Sequence, residues 1–207
     1  MTPYSQIRRR SEFLGTSVIN RVTGKRLGVV SQVWFDIDRC KVVAVSLRRR
    51  LLPGLMLGTE RIVLLHSFRQ VSDIILVDDD DAIADDFNLS SYSTMLNFEV
   101  TAESAKTLGW LRDLTFDVMT GKLESIVTDS FGLSTIPVRL TSTYELPSDE
   151  IVSTGHSRII VFEGAEDRLA QLSVGILDRL GIGRTPWERD DQRASILIIS
   201  KPNDWLQ

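Results

Sequence analysis

Residues 25–47, KRLGVVSQVWFDIDRCKVVAVSL, fall on residues 106–128, KTLGWLRDLTFDVMTGKLESIVT, without a gap when the chain is slid along itself by 81 positions. Lys25, Leu27, Gly28, Phe35, Asp36 and Lys41 meet Lys106, Leu108, Gly109, Phe116, Asp117 and Lys122. Between these identities apolar residues meet apolar residues: Val30 and Leu111, Val33 and Leu114, Ile37 and Val118, Val42 and Leu123, Val45 and Ile126. Self-similarity at one fixed offset marks a structural unit present twice. Val33, Phe35 and Ile37 alternate with other residues, as do Leu114, Phe116 and Val118, so each stretch reads as a strand with one apolar face. Residues 38–41 and 119–122 are turn-like breaks, and Val43, Val45 and Leu47 resume the alternation.

Outward from this core the repeat continues. SDIILVDD (72–79) corresponds to SRIIVFEG (157–164) with a shift of a few residues, which places the two copies at 9–80 and 96–164. Ile62–Leu65 and Ile74–Val77 read as further short strands. Short strands separated by regular breaks, with no helical period, predict a mainly β chain of two small barrels or curled sheets in tandem. Residues 81–95 read as an acidic, Ser-rich linker; the preceding Asp run lacks the glycine and terminal glutamate of a calcium loop and predicts a solvated segment. In 164–182, Leu169, Leu172, Ile176, Leu177 and Leu180 fall at helical spacing, with Glu166 and Asp167 early, Arg179 late and Gly181 as a stop. This predicts an amphipathic helix over 165–182, its apolar stripe docked on a barrel, followed by an extended tail over 183–207.

Composition narrows the function classes. Hydrophobic residues make up 43%, which excludes disorder as the dominant state. The net charge of −4 conceals an asymmetry: residues 1–70 carry +9 and residues 71–207 carry −13, and 19 of the 24 basic residues are Arg. A single cysteine, Cys40, leaves no intrachain disulfide and points to the cytoplasm or another reducing space. One Cys and two separated His, His66 and His156, do not make a zinc set. No apolar run approaches the ~18 residues of a membrane-spanning helix. The first residues, MTPYSQIRRRSEF, lack the apolar core of a signal peptide. The expected location is cytoplasmic, with peripheral contact at a membrane surface left open.

The phrase Gly24-Lys25-Arg26-Leu27-Gly28-Val29-Val30, then Phe35-Asp36, then Ile62–Phe68 before Asp73-Ile74-Ile75, resembles the PRC-barrel family. The second copy resembles it through Lys106-Thr107-Leu108-Gly109, Phe116-Asp117, Leu146-Pro147 and Asp149-Glu150-Ile151, with Ala105 where the family's pattern has a turn glycine. The tandem arrangement is similar to proteins of oxygenic phototrophs. The resemblance implies a small β-barrel used for binding, similar to the extramembrane part of the photosynthetic reaction-centre H subunit and to half of a ribosome maturation factor. Function does not follow from fold alone.

The candidate partner-binding residues are Arg48, Arg49, Arg50, Leu51, Leu52, Leu55, Met56 and Trp187. The arginine triplet abuts apolar residues broken by Pro53-Gly54, on what the repeat places as an inter-strand loop. Arginine makes bidentate contacts with carboxylates and phosphates, and an apolar tip beside it suits a partner anchor or a membrane surface. The bland alternative is that the leucines tuck into the barrel. Arg8–Arg10, Arg21 and Arg26 are expected to extend a positive patch on the first copy. Asp36 and Asp117 occupy equivalent turn positions in different copies and are expected to stabilise turns rather than to act as paired acids. No convergent nucleophile, metal or acid–base set is visible, so a non-enzymatic protein without a cofactor is expected. Two functions are carried forward: a scaffold or assembly factor whose partner is a photosynthetic complex or its assembly intermediate, and an RNA- or ribosome-associated factor. RNA is the weaker partner, because basic and aromatic residues do not interleave and the second copy is acidic.

Overall fold

A computed structural model describes residues 6–52, 55–78, 84, 88–129, 140–155 and 157–180; at 49–52, 55–59 and 89 it describes the backbone alone. β1 (Ile7–Arg9) and a single helical turn, α1 (Arg10–Phe13), lead into the strands of the first copy. The first copy comprises β2 (Ser17–Asn20), β3 (Arg26–Asp36), β4 (Lys41–Leu52), β5 (Leu55–Leu64), β6 (Phe68–Val71) and β7 (Ile74–Val77). The second comprises β8 (Glu99–Ala102), β9 (Thr107–Asp117), β10 (Leu123–Asp129), β11 (Thr143–Pro147), β12 (Ile151–Thr154) and β13 (Arg158–Val161). β14 (Ala170–Ser173) and α2 (Ile176–Arg179) follow.

The two sheets share one strand order. The first runs β5-β4-β3-β2-β7-β6, and the second runs β11-β10-β9-β8-β13-β12 with β14 added beyond β11. In each copy one pair is parallel, β2 with β7 and β8 with β13. Register shifts within the β2–β3, β3–β4 and β4–β5 ladders and within their counterparts β8–β9 and β9–β10 bend the strands. Such bulges are how a sheet this small curls around its own core. Gly28 and Gly109 permit that curl. A Cβ on Gly28 would stand 3.0 Å from the Arg48 carbonyl oxygen, and one on Gly109 would stand 2.2 Å from that of Asp129.

The residues paired by the 81-residue shift are the core. Leu27, Val30, Val33, Phe35, Val42 and Val45 are buried, and so are Leu108, Leu111, Leu114, Phe116, Leu123 and Ile126. They form one continuous cluster across both copies. Full burial of a side chain of this size is worth about 1.5–3 kcal/mol. Phe13, ahead of the first copy's strands, stacks edge-on against Phe116 of the second copy at 5.5 Å and lies 6.2 Å from Phe68 of the first.

The copies also exchange leading segments. β1, ahead of the other strands of the first copy, pairs with β9 of the second, Arg8 opposite Phe116. Ser93, ahead of the second copy's strands, exchanges two backbone hydrogen bonds with Phe35 of the first, at 2.8 and 3.0 Å. Phe35 and Phe116 are repeat equivalents. Lys41 and Lys122, also equivalents, face each other in an antiparallel bridge. The equivalent phenylalanines are thus each met by the leading segment of the other copy, and the equivalent lysines meet each other, a reciprocity like that of a two-fold dimer. Ser93 and the buried Met95 lie inside the stretch expected as a solvated linker; they are packed because the second copy's leading segment must reach the first.

The expected helix over 165–182 is not formed. Its place is taken by a 3-10 turn at Ala165–Arg168, then β14, then the single turn α2. β11 would otherwise present an open edge, and β14 pairs along it, Tyr144 opposite Gln171 and Glu145 opposite Ala170. Backbone pairing of an edge outweighed the helical spacing of the leucines. Gly175 then passes so close to Leu140 and Thr141 that a Cβ would stand 2.4 Å from their backbone. The stripe expected to dock is largely exposed, at Leu172, Ile176 and Leu180, while Leu169 packs on the core. Gly181 and the tail 183–207 lie outside the described residues.

Candidate functional site

Arg48–Leu52 and Leu55–Met56 belong to a ribbon of paired strands and not to a loop. The β3–β4 ladder ends at Val29 opposite Arg48, but β4 and β5 continue to pair with each other, Arg49 with Leu57, Arg50 with Met56 and Leu52 with Leu55. Two strands paired through their backbones need no alternating core face, which is why an RRRLL run forms a strand here. Beyond Arg48 the ribbon has ladder partners on its inner side only, among the described residues. It extends about 13 Å at the usual rise per strand residue. Arg48 is half exposed and forms an ion pair with Glu60 at 3.5 Å. The side chains of Arg49, Arg50, Leu51, Leu52, Leu55 and Met56 lie outside the described residues, as does Trp187.

Among the described residues, arginines expected in a positive patch are drawn into separate contacts. Arg10 turns inward and is buried, its Nη2 donating to Gln32 Oε1 at 2.7 Å while Nε finds no partner. Burial pulls its pKa below the ordinary arginine value, an effect opposed by nearby Asp113. Gln32 and Asp113 are repeat equivalents, so Arg10 sits between matching positions of the two copies. Arg21 pairs with Asp78, Arg9 reaches Glu145 at 3.9 Å, and Arg26 donates to Ser17. Asp78 also accepts from Arg69 Nε at 2.5 Å, and chiefly this bond holds its carboxyl below the usual range. These arginines are parts of separate local pairs.

Asp36 and Asp117 do what their turn positions predict. Asp36 Oδ1 accepts from the Arg39 amide at 3.0 Å. Asp117 Oδ1 accepts from the amides of Met119 and Thr120 at 2.8 and 2.9 Å. Asp129, the equivalent of Arg48, is fully buried and ion-paired with Arg112 at 2.5 Å, with Arg112 Nη1 donating to Asn97 Oδ1 at 3.0 Å. This pair anchors the far end of β10, and the sequence pattern did not flag it because its partner lies across the sheet. Among the described residues no group of three or more His, Cys, Asp or Glu is placed to hold a metal, and no helix is long and apolar enough to cross a membrane.

Where the turns of the two copies meet, a groove of about 680 Å³ opens between them. Its lining includes Arg39, Cys40, Lys41 and Lys122 on one side and β12 on the other. Thr154 Oγ1 donates to the Ile37 carbonyl at 2.9 Å and ties β12 to the first copy's turn. A second groove of about 480 Å³, bordered by Arg39, His66, Tyr92 and Met119, lies at the related position. Sequence reasoning treated Cys40 and Lys41 as turn residues only; the tandem repeat of Lys41 and Lys122 was the available signal, but their meeting depends on how the copies pack.

Two curled sheets of one strand order, fused as an internal dimer with grooves at their junction, define a tandem small-barrel protein. The PRC-barrel domain model matches residues 6–83 and again residues 87–168, and the chain belongs to the PRC-barrel domain family. No curated protein matches it.

Proposed function

We propose that this chain is a non-catalytic scaffold that docks a protein partner through the β4–β5 ribbon. The observation that supports this reading is the reach of the ribbon: Arg49–Leu52 and Leu55–Leu57 continue past the last β3 pairing, with no ladder partner on their outer edges among the described residues. It carries an arginine triplet followed by leucines and a methionine, a combination suited to a charged and apolar protein surface. PRC-barrel domains are generally protein-interaction modules, which agrees with this use. The partner class is a photosynthetic membrane complex or its assembly intermediate, met at the membrane surface. A photo-cross-linking residue at Met56, compared with one at Val22 on another exposed turn, tests the reading in cells of the native source. Discrete protein adducts from position 56 alone support it. Equal adducts from both positions, or RNA as the main adduct from 56, overturn it. Arg48→Ala, Arg49→Ala and Arg50→Ala together are expected to reduce the adduct about tenfold while the thermal midpoint stays unchanged.

A further inference from the structure

Lys41 and Lys122 stand directly opposite each other across the junction of the two copies, with the Val42 amide donating to the Gly121 carbonyl at 2.8 Å beside them. Like charges directly opposite in a strand pair are unfavourable. Arg39 borders the same groove, and Asp38 is its one acidic lining residue. Two of the three cations are exposed side chains with an acidic partner: Arg39 meets the buried Asp36 at 3.5 Å, and Lys122 meets the half-buried Glu124 at 3.4 Å. Among the described residues Lys41 has no ion pair. The groove is thus a cationic site within a chain of net charge −4.

The opposite wall of the groove is a strand edge. β12 is the terminal strand of the second sheet, and no strand among the described residues pairs with its outer side; its Thr154 hydroxyl is bonded to the first copy's turn. All four of its residues, Ile151 to Thr154, border the groove. Successive strand side chains point to opposite faces, so four consecutive lining residues mean that the groove meets the strand edge-on. Val152 is 42% exposed there, a large apolar side chain at the rim. A phosphate ion or nucleic acid would satisfy the cations but not an open strand edge or Val152. An extended polypeptide with acidic side chains satisfies all three.

We propose that this groove takes an extended acidic segment of a partner protein, which adds as a strand along β12 and sets carboxylates against Lys41, Lys122 and Arg39. Strand addition draws affinity from main-chain hydrogen bonds and specificity from alternate side chains. The site is separate from the β4–β5 ribbon and does not depend on the ribbon's role.

Fluorescence polarisation with the full chain tests the proposal. The probes are fluorescein-labelled peptides of about eight residues, a usual strand length: alternating Val-Glu, alternating Val-Lys, and Val-Glu with alternate backbone nitrogens methylated. The Val-Glu peptide is expected to bind about tenfold or more tightly than either control. In the chain carrying Lys41→Gln and Lys122→Gln that binding is expected to weaken about tenfold, while the thermal midpoint holds or rises because the like-charge contact is gone. In the unmodified protein, amide NMR shifts on adding Val-Glu peptide are expected at Val152, Ser153 and Thr154. Equal binding of the methylated peptide, or shifts confined to residues 48–57, overturns the proposal. So does tighter binding of an oligouridylate than of the Val-Glu peptide, displaced by it from the same residues.

Discussion

Ala105 carries a backbone angle that its residue type resists. It has φ of 66°, matching φ of 69° at its repeat equivalent Gly24. A left-handed conformation costs a residue with a Cβ roughly 1–2 kcal/mol relative to glycine. Ala105→Gly is therefore expected to raise the unfolding free energy by about 1 kcal/mol, reduced somewhat by the greater freedom of glycine in the unfolded chain. Nothing lies within 4 Å of a Cβ built on Gly24, so Gly24→Ala isolates the same backbone effect with opposite sign. Chemical denaturation of both variants checks the pair; changes of the same sign would contradict it. Cys40 is a comparable case, with φ of 50° where its equivalent Gly121 has 74°. The departure of Ala105 from a turn glycine was legible in the sequence. Its conformation was not, because only the strands on either side compel that turn.

At the scale of elements, the leading segment is a strand of the wrong copy. Removing residues 1–9 takes β1 from β9 and the Gln6 carbonyl from the Val118 amide, a bond of 3.0 Å. Amide exchange at Val118 is expected to quicken by more than an order of magnitude, the readout of an opened edge, while Val45 and Val63 in the first sheet keep their protection. The segment after β13 is held differently. Arg168 makes two bonds to Glu150, at 2.5 and 2.6 Å, and chiefly these hold the Glu150 carboxyl below its usual range. A lowered carboxyl pKa means stability that is present above the ordinary glutamate value, about 4.3, and is lost as pH falls through the lower folded value. Protection of Ala165–Ser173, corrected for intrinsic exchange, is expected to fall below about pH 4 before that of β9 and β10. Glu150→Gln should remove that pH dependence. The effect is small, since both side chains meet solvent. The helix expected here shows why elements are the hardest scale to read: Leu169 to Leu180 have the right spacing, but the unpaired edge of β11 and the close approach of Gly175 act from outside the segment.

For the whole molecule, one core spans both copies, and each copy completes the other. Phe13 closes on Phe116, and Ser93 on Phe35. A chain of residues 1–86 or 87–207 alone would expose the apolar surface buried where the copies meet, around Phe13 and Phe116, at about 25 cal/mol per Å². Each half alone is expected to lack a cooperative thermal transition. The two halves expressed together are expected to form a one-to-one complex, and the intact chain to unfold in a single step with coincident fluorescence and circular dichroism curves. Two separated transitions in the intact chain would contradict a shared core.

That one β unit occurs twice, which residues make its core, and where Asp36 and Asp117 close its turns can all be read from the amino-acid order. Those features are local or periodic, and a period survives in the letters. The crossing of the leading segments, the burial of Arg10 but not of Arg48, and the meeting of Lys41 and Lys122 beside the edge of β12 arise only on folding. Each of these brings together residues far apart in the chain through the packing of one copy on the other. Charges distant in sequence interact only where folding sets them within a few ångströms. The bland net charge of the chain hides a cationic groove for that reason.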